Sequence, residues 1–202
     1  LTGDYQANTI DGNGGNDLIE GGDGADTLSG GAGTDTISYA GSVGDVMVNL
    51  GTGAANDGFG ARDVISGFEN IVGSQFDDTL RGDGAANVIE GGIGRDVIRG
   101  GAGADTFVYR NLADSTVAAA GRDTIIDFVT GDRIDLSLID ADVNTVGDQA
   151  FTFIGTGAFT KVAGQLRATT TAIEADVNGD GFTDFAITIG VATAPVGTDF
   201  IL

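Results

Sequence analysis

The 202-residue chain carries 30 acidic residues against 9 basic ones; its net charge of −21 repels nucleic-acid phosphates and anionic membranes and favours cations as partners. It has no cysteine and no histidine, which excludes disulfide staples, His-dependent triads and zinc-protease sites. Although 36 residues are Gly, 41% of the chain is hydrophobic and one residue is Pro, a composition that folds and is no flexible linker. No apolar run approaches the roughly 20 residues of a membrane helix, and the N-terminus has neither the basic nor the apolar region of a secretory signal peptide. The chain starts at Leu1 and a repeat opens at Gly3, so the sequence reads as a fragment whose missing upstream part is a candidate carrier of activity.

Taken in chain order, the first feature is a period of nine. Two worn copies start at Gly3, with Asn8 and Ile10 in register, and at Gly12, with Asp17 and Ile19. Two regular copies follow: Gly21-Gly22-Asp23-Gly24-Ala25-Asp26-Thr27-Leu28-Ser29 and Gly30-Gly31-Ala32-Gly33-Thr34-Asp35-Thr36-Ile37-Ser38. Residues 39–72 lack the period and read as a strand-and-loop segment that interrupts it. A second block, 73–127, resumes at Gly73 with Asp78 and Leu80, then at Gly82-Asp83-Gly84 with Asn87 and Ile89. Gly91-Gly92-Ile93-Gly94 with Asp96 and Ile98, and Gly100-Gly101-Ala102-Gly103 with Asp105 and Phe107, complete it.

This nonapeptide, GGxGxDxUx, resembles the calcium-binding repeat of RTX proteins. The resemblance implies an all-β fold: a parallel β-roll of two sheets, a right-handed β-helix-like calcium solenoid. The physics agrees. Six Gly-rich residues turn tightly because Gly tolerates φ > 0, and the last three form a strand too short to stand alone. Two repeats make one coil, so residue i stacks on residue i+18 in coils about 4.8 Å apart. Ile10 with Leu28, Ile19 with Ile37, Ile71 with Ile89 and Phe107, and Leu80 with Ile98 are the expected internal columns. The same step stacks Asp17 over Asp35, Asp78 over Asp96, Asn8 over Asp26 and Asn87 over Asp105. Carboxylate columns repel without a cation. Ca²⁺ takes six to eight oxygens, so it suits one carboxylate from each of two stacked turns plus backbone carbonyls; Mg²⁺ demands a stricter octahedron. The bland alternative is a set of Asp-Gly turns without an ion.

From Gly73 onward the chain is similar to the C-terminal region of serralysin-type secreted metalloproteases and to repeat modules of type I-secreted lipases and mannuronan epimerases. The resemblance rests on GGAGADTFVY (100–109), DSTVAAAGRDTIIDF (114–128) and GDRIDLS (131–137). DTISYAGS, VMVNL and FENIVGS in the intervening segment extend it. The resemblance implies that Glu69, nine before Asp78, is a carboxylate ligand. It implies that Asp114 and Asp123, eighteen after Asp96 and Asp105, close the last sites and that Ile125 continues the column of Phe107. It also implies bacterial type I secretion to the extracellular space through an uncleaved C-terminal signal, for which Asp199-Phe200-Ile201-Leu202 is the candidate. An ordinary last strand is the alternative.

Residues 128–202 lose the period and alternate instead, at Ala150–Ile154, Gln165–Thr169 and Phe185–Ile189. These predict antiparallel strands capping the open end of the solenoid. Asp176, Asn178, Asp180 and Asp184 match the start of an EF-hand-like loop, but Ile187 stands where a bidentate Glu is needed. A β-hairpin turn is the competing reading.

Three functions remain. The leading one is a non-catalytic module that folds on calcium outside the cell and supports export and stability of an N-terminal passenger. A glycan-binding or adhesive module is the second, weakened by the absence of Trp and by only three Tyr; Arg62, Arg81, Arg95, Arg99 and Arg110 supply its few cations. The third, an enzyme using paired carboxylates, competes with the better account of those pairs as ligands.

Overall fold

In the computed structural model, which describes residues 1–202, the repeats become three-residue strands whose middle side chain points inward. Thr79–Arg81 is typical: Leu80 is buried and both neighbours are exposed, the period-two alternation of a strand. The first block supplies β1 (Thr9–Asp11), β2 (Leu18–Ile19), β3 (Thr27–Ser29) and β4 (Thr36–Ser38). The next segment supplies β5 (Met47–Asn49), β6 (Ala54–Asn56), β7 (Arg62–Ser66) and β8 (Asn70–Val72). The second block forms β9 (Thr79–Arg81), β10 (Val88–Glu90), β11 (Val97–Arg99), β12 (Thr106–Val108) and β13 (Thr124–Ile125). Beyond lie β14 (Arg133–Asp135), β15 (Thr152–Phe153), β16 (Gln165–Ala168), β17 (Ala172–Asp176), β18 (Phe185–Ile189) and β19 (Phe200–Ile201).

Two sheets face each other across one core. The first is wholly parallel, in the order β2-β4-β8-β10-β12-β14-β19. Its inward residues form one unbroken column, Ile19, Ile37, Ile71, Ile89, Phe107, Ile134 and Phe200. The second sheet runs β1-β3-β7-β6-β5-β9-β11-β13-β18-β17-β16-β15. It carries Ile10, Leu28 and Ile65, then Val48, Leu80, Ile98, Ile125 and Ile189. Each fully buried Ile or Leu contributes roughly 1.5–3 kcal/mol.

The segment between the blocks, expected to interrupt the roll, does so in one sheet only. In the parallel sheet β8 follows β4 directly, with Ile37 beside Ile71. In the other, β5, β6 and β7 form an antiparallel meander that widens the sheet. A second correction concerns Ile125. It pairs with Ile98, not Phe107, whose neighbour is Ile134. The cause is the length of the coil: two single-turn 3-10 helices, Leu112–Asp114 and Ala119–Gly121, lengthen the connection, and the step from Asp96 to Asp123 is 27 residues.

The C-terminal strands cover the end of the roll, as expected, and do so by continuing one of its sheets. β18 joins β13 in parallel, and β17 and β16 follow antiparallel. β15 pairs with β16 in parallel, against the antiparallel expectation. No helix is long and apolar enough to cross a membrane.

Candidate metal centres in the turns

The turn acids form ladders along both flanks of the roll. On the flank that leads into the parallel sheet, Asp17 N–H donates to Asp35 Oδ1 at 2.8 Å and Asp35 N–H to Glu69 Oε2 at 2.8 Å. Asn87 N–H then donates to Asp105 Oδ1 at 2.9 Å and Asp105 N–H to Asp132 Oδ1 at 3.0 Å. On the other flank, Asn8 N–H meets Asp26 Oδ1 at 2.7 Å and Asp26 N–H meets Asp63 Oδ1 at 2.9 Å. Past the meander, Val46, Asp78 and Asp96 donate in turn to Asp78, Asp96 and Asp123, each at 2.8 Å. All four stacked pairs expected from the 18-residue step are therefore brought together.

Two rungs were missed. Asp63 and Asp132 begin D-x-U-x strands, Asp63-Val64-Ile65-Ser66 and Asp132-Arg133-Ile134-Asp135, without a GGxG turn before them. That tetrapeptide is the available signal, and no GGxG turn marks it. Asp123 stacks on Asp96 rather than Asp105. Asp114 is buried but lies off the ladder, its Oδ2 accepting the amides of Arg110 and Asn111.

Apart from Asp17 at the end of its ladder, each ladder aspartate uses Oδ1 to hold the neighbouring coil, which leaves Oδ2 to be accounted for. In Asp17, Asp26, Asp35 and Asp96 that oxygen is buried and accepts no hydrogen bond, as is also true of Asp57 off the ladders; Asp123 differs in having the Tyr109 hydroxyl beside it. A buried anionic oxygen without a donor costs several kcal/mol, so it calls for a cation or a proton. The space beside it is kept open by glycine: a Cβ on Gly21 would stand 2.3 Å from Asp26 Oδ2, and one on Gly91 2.2 Å from Asp96 Oδ2. Gly30 and Gly100 occupy the same place before Asp35 and Asp105. The residues present thus fit a hard cation. No three acidic groups converge on one point, so the remaining donors would be backbone carbonyls of the turns. Asp23, Ala32, Ile93 and Ala102, exposed at the third position, would contribute through the main chain.

Burial pushes Asp96 up to about 7 and Asp123 up to about 9, the latter helped by the Asp96 charge. Asp63 rises to about 6 by burial and by the charges of Asp26 and Asp57. Burial likewise raises Asp26, Asp78 and Asp105 above the ordinary carboxylate range. No basic side chain reaches these acids; the salt bridges of Arg95, Arg110 and Arg167 go to Asp77, Glu90 and Glu174.

The EF-hand-like segment forms the connection of the β17–β18 hairpin. Asp176 accepts Gly179 N–H and Gly181 N–H, Asp184 accepts Val177 N–H, Asn178 accepts Asp180 N–H and Asp180 accepts Phe182 N–H. Its acids are thus engaged by the loop's own amides. Of the four C-terminal residues, Phe200 and Ile201 form the last strand of the parallel sheet, beside Ile134 and Asp135, while Asp199 ends the single-turn 3-10 helix Gly197–Asp199 and Leu202 follows the strand.

Parallel three-residue strands, apolar columns and laddered turn acids define an RTX-type β-roll repeat module. The chain belongs to the peptidase M10 serralysin C-terminal family, whose pattern matches residues 5–202. Among solved structures it is similar to the AlgE6R3 subunit from the Azotobacter vinelandii mannuronan C5-epimerase, with 20% identity, 97% of this chain and 78% of that chain covered, and a TM-score of 0.35. The AlgE6R2 subunit of the same epimerase gives 20% identity, 94% and 91% coverage and a TM-score of 0.39. No curated protein matches the chain.

Proposed function

We propose that this chain is a non-catalytic calcium-binding module that folds on calcium outside the cell and so supports export and stability of a passenger on its N-terminal side. The observation that carries the reading is the set of buried, donorless Oδ2 atoms on Asp17, Asp26, Asp35 and Asp96. Those residues, with turn carbonyls, would hold the ions, and calcium when bound supplies the positive charge that the columns lack. In a calcium-poor cytosol the net charge of −21 and the stacked acids oppose folding. An unfolded chain suits a type I exporter, with Asp199–Leu202 as its candidate signal. At extracellular calcium, binding free energy becomes folding free energy. The glycan reading has less support: Arg95 and Arg110 are engaged by Asp77 and Glu90.

The test is a calcium titration of the chain followed by far-ultraviolet circular dichroism. A β-sheet signal that develops with calcium and is lost to chelator is expected. A full β-sheet signal at neutral pH without calcium overturns the reading. Export is read separately, from culture supernatants of cells carrying a type I exporter, with and without residues 199–202.

A further inference from the structure

The eight nonapeptide turns fall into two classes according to the residue after the first glycine. In five turns that residue is left-handed: Asn13 (φ 66°), Gly22 (φ 89°), Gly31 (φ 102°), Gly92 (φ 97°) and Gly101 (φ 106°). In the other three it is Asp4, Ser74 or Asp83, none with positive φ. The second class closes on itself. Asp4 N–H donates to Asn8 Oδ1 at 2.7 Å, Ser74 N–H to Asp78 Oδ2 at 2.6 Å and Asp83 N–H to Asn87 Oδ1 at 2.9 Å. In the first class this amide is turned elsewhere, as Gly101 N–H is toward Asp127 Oδ2 at 3.2 Å. Four acids of that class, Asp17, Asp26, Asp35 and Asp96, keep a buried oxygen without a donor.

The sixth position follows the same division. Two of the three self-closed turns carry Asn there, and no left-handed turn does. A neutral amide needs no counter-charge, and its NH₂ cannot face a cation. Asn87 Nδ2 instead donates to Glu69 O at 2.8 Å, engaging a carbonyl of the preceding coil. In the third closed turn, Ser74 Oγ adds a bond to Asp78 Oδ1 at 2.7 Å.

Resting on the calcium reading above, we propose that turns 3–8, 73–78 and 82–87 give no side-chain oxygen to calcium. Their second-residue amide takes the place of the ion. Turns 12–17, 21–26, 30–35, 91–96 and 100–105 supply the acids that bind. Turns 73–78 and 82–87 lie on opposite flanks of one coil, so residues 73–90 form a coil held by its own hydrogen bonds in the middle of the roll.

Native mass spectrometry of the 202-residue chain in calcium counts the bound ions. Asp78→Asn leaves the count unchanged, because both Asp78 oxygens are already engaged by Val46 N–H, Ser74 N–H and Ser74 Oγ–H; should it not fold, Asn87→Asp, which adds a charge at a closed turn, is expected to leave the count unchanged as well. Asp35→Asn lowers it by at least one. Should Asp35→Asn not fold, Asp26→Asn and Asp96→Asn ask the same question of other open turns. A loss in Asp78→Asn equal to that in the open-turn variants overturns the two-class division. A wild-type chain that takes up no calcium overturns the calcium reading itself, so the two failures are distinguishable.

Discussion

Asp35 N–H donates to Glu69 Oε2 at 2.8 Å, across 34 residues of sequence. This bond carries the turn ladder past the meander where the nonapeptide is missing, and it places Glu69 on the rung between Asp35 and Asn87. Asp35 is buried, so its amide has no water to turn to. Glu69→Ala should destabilise the calcium-loaded chain by about 1–3 kcal/mol, and Glu69→Gln, which keeps an acceptor, by less. Urea denaturation at fixed calcium measures both.

Ile89 lies between Ile71 and Phe107 in the parallel sheet and is fully buried. Ile89→Ala should cost about 2–5 kcal/mol through lost transfer energy and the cavity left behind. Its neighbour Val88 is 41% exposed, and Val88→Ala should stay within about 0.5 kcal/mol. Equal effects from the two would contradict the inward column.

Burial holds Asp63 at about 6, Asp96 at about 7 and Asp123 at about 9 in the folded chain. An acid with a higher pKa folded than unfolded binds more protons in the folded state. Its contribution is fully present below the unfolded value near 3.8 and is lost as pH rises through the folded values, here about 6 to 9. Calcium-stripped chain should therefore hold more β-sheet near pH 4 than near pH 8. Calcium at pH 8 should restore it while displacing protons, seen as a binding heat that changes with the ionisation enthalpy of the buffer. A calcium-stripped chain insensitive to pH across this range would contradict the assignment.

Gly31 has φ 102°, and a Cβ there would lie 2.3 Å from Asn13 O. Gly31→Ala combines roughly 1–2 kcal/mol of left-handed strain with a backbone clash that pushes two coils apart. The calcium midpoint of the circular dichroism titration should rise severalfold. Gly84, which has no neighbour within 4 Å of an added Cβ and no left-handed φ, should accept Ala with little change.

The period of nine, the alternation within D-x-U-x and the 18-residue step were legible in the sequence because each is a local requirement. Glycine turns the chain, one apolar residue fills the core, and one acid or amide ends each turn. These determined the two-sheet roll and the pairs Asp17/Asp35, Asn8/Asp26, Asp78/Asp96 and Asn87/Asp105. Only the tertiary structure decided what happens where the period fails. Lengthening a loop costs little entropy, so nothing local announces that β4 is followed by β8, or that the coil after Asp96 takes 27 residues and delivers Ile125 to Ile98. Those choices are made by continuity of the buried columns. They also draw Asp63 and Asp132 into the ladders, and the direction in which each turn's second amide points decides which acids are left without a partner.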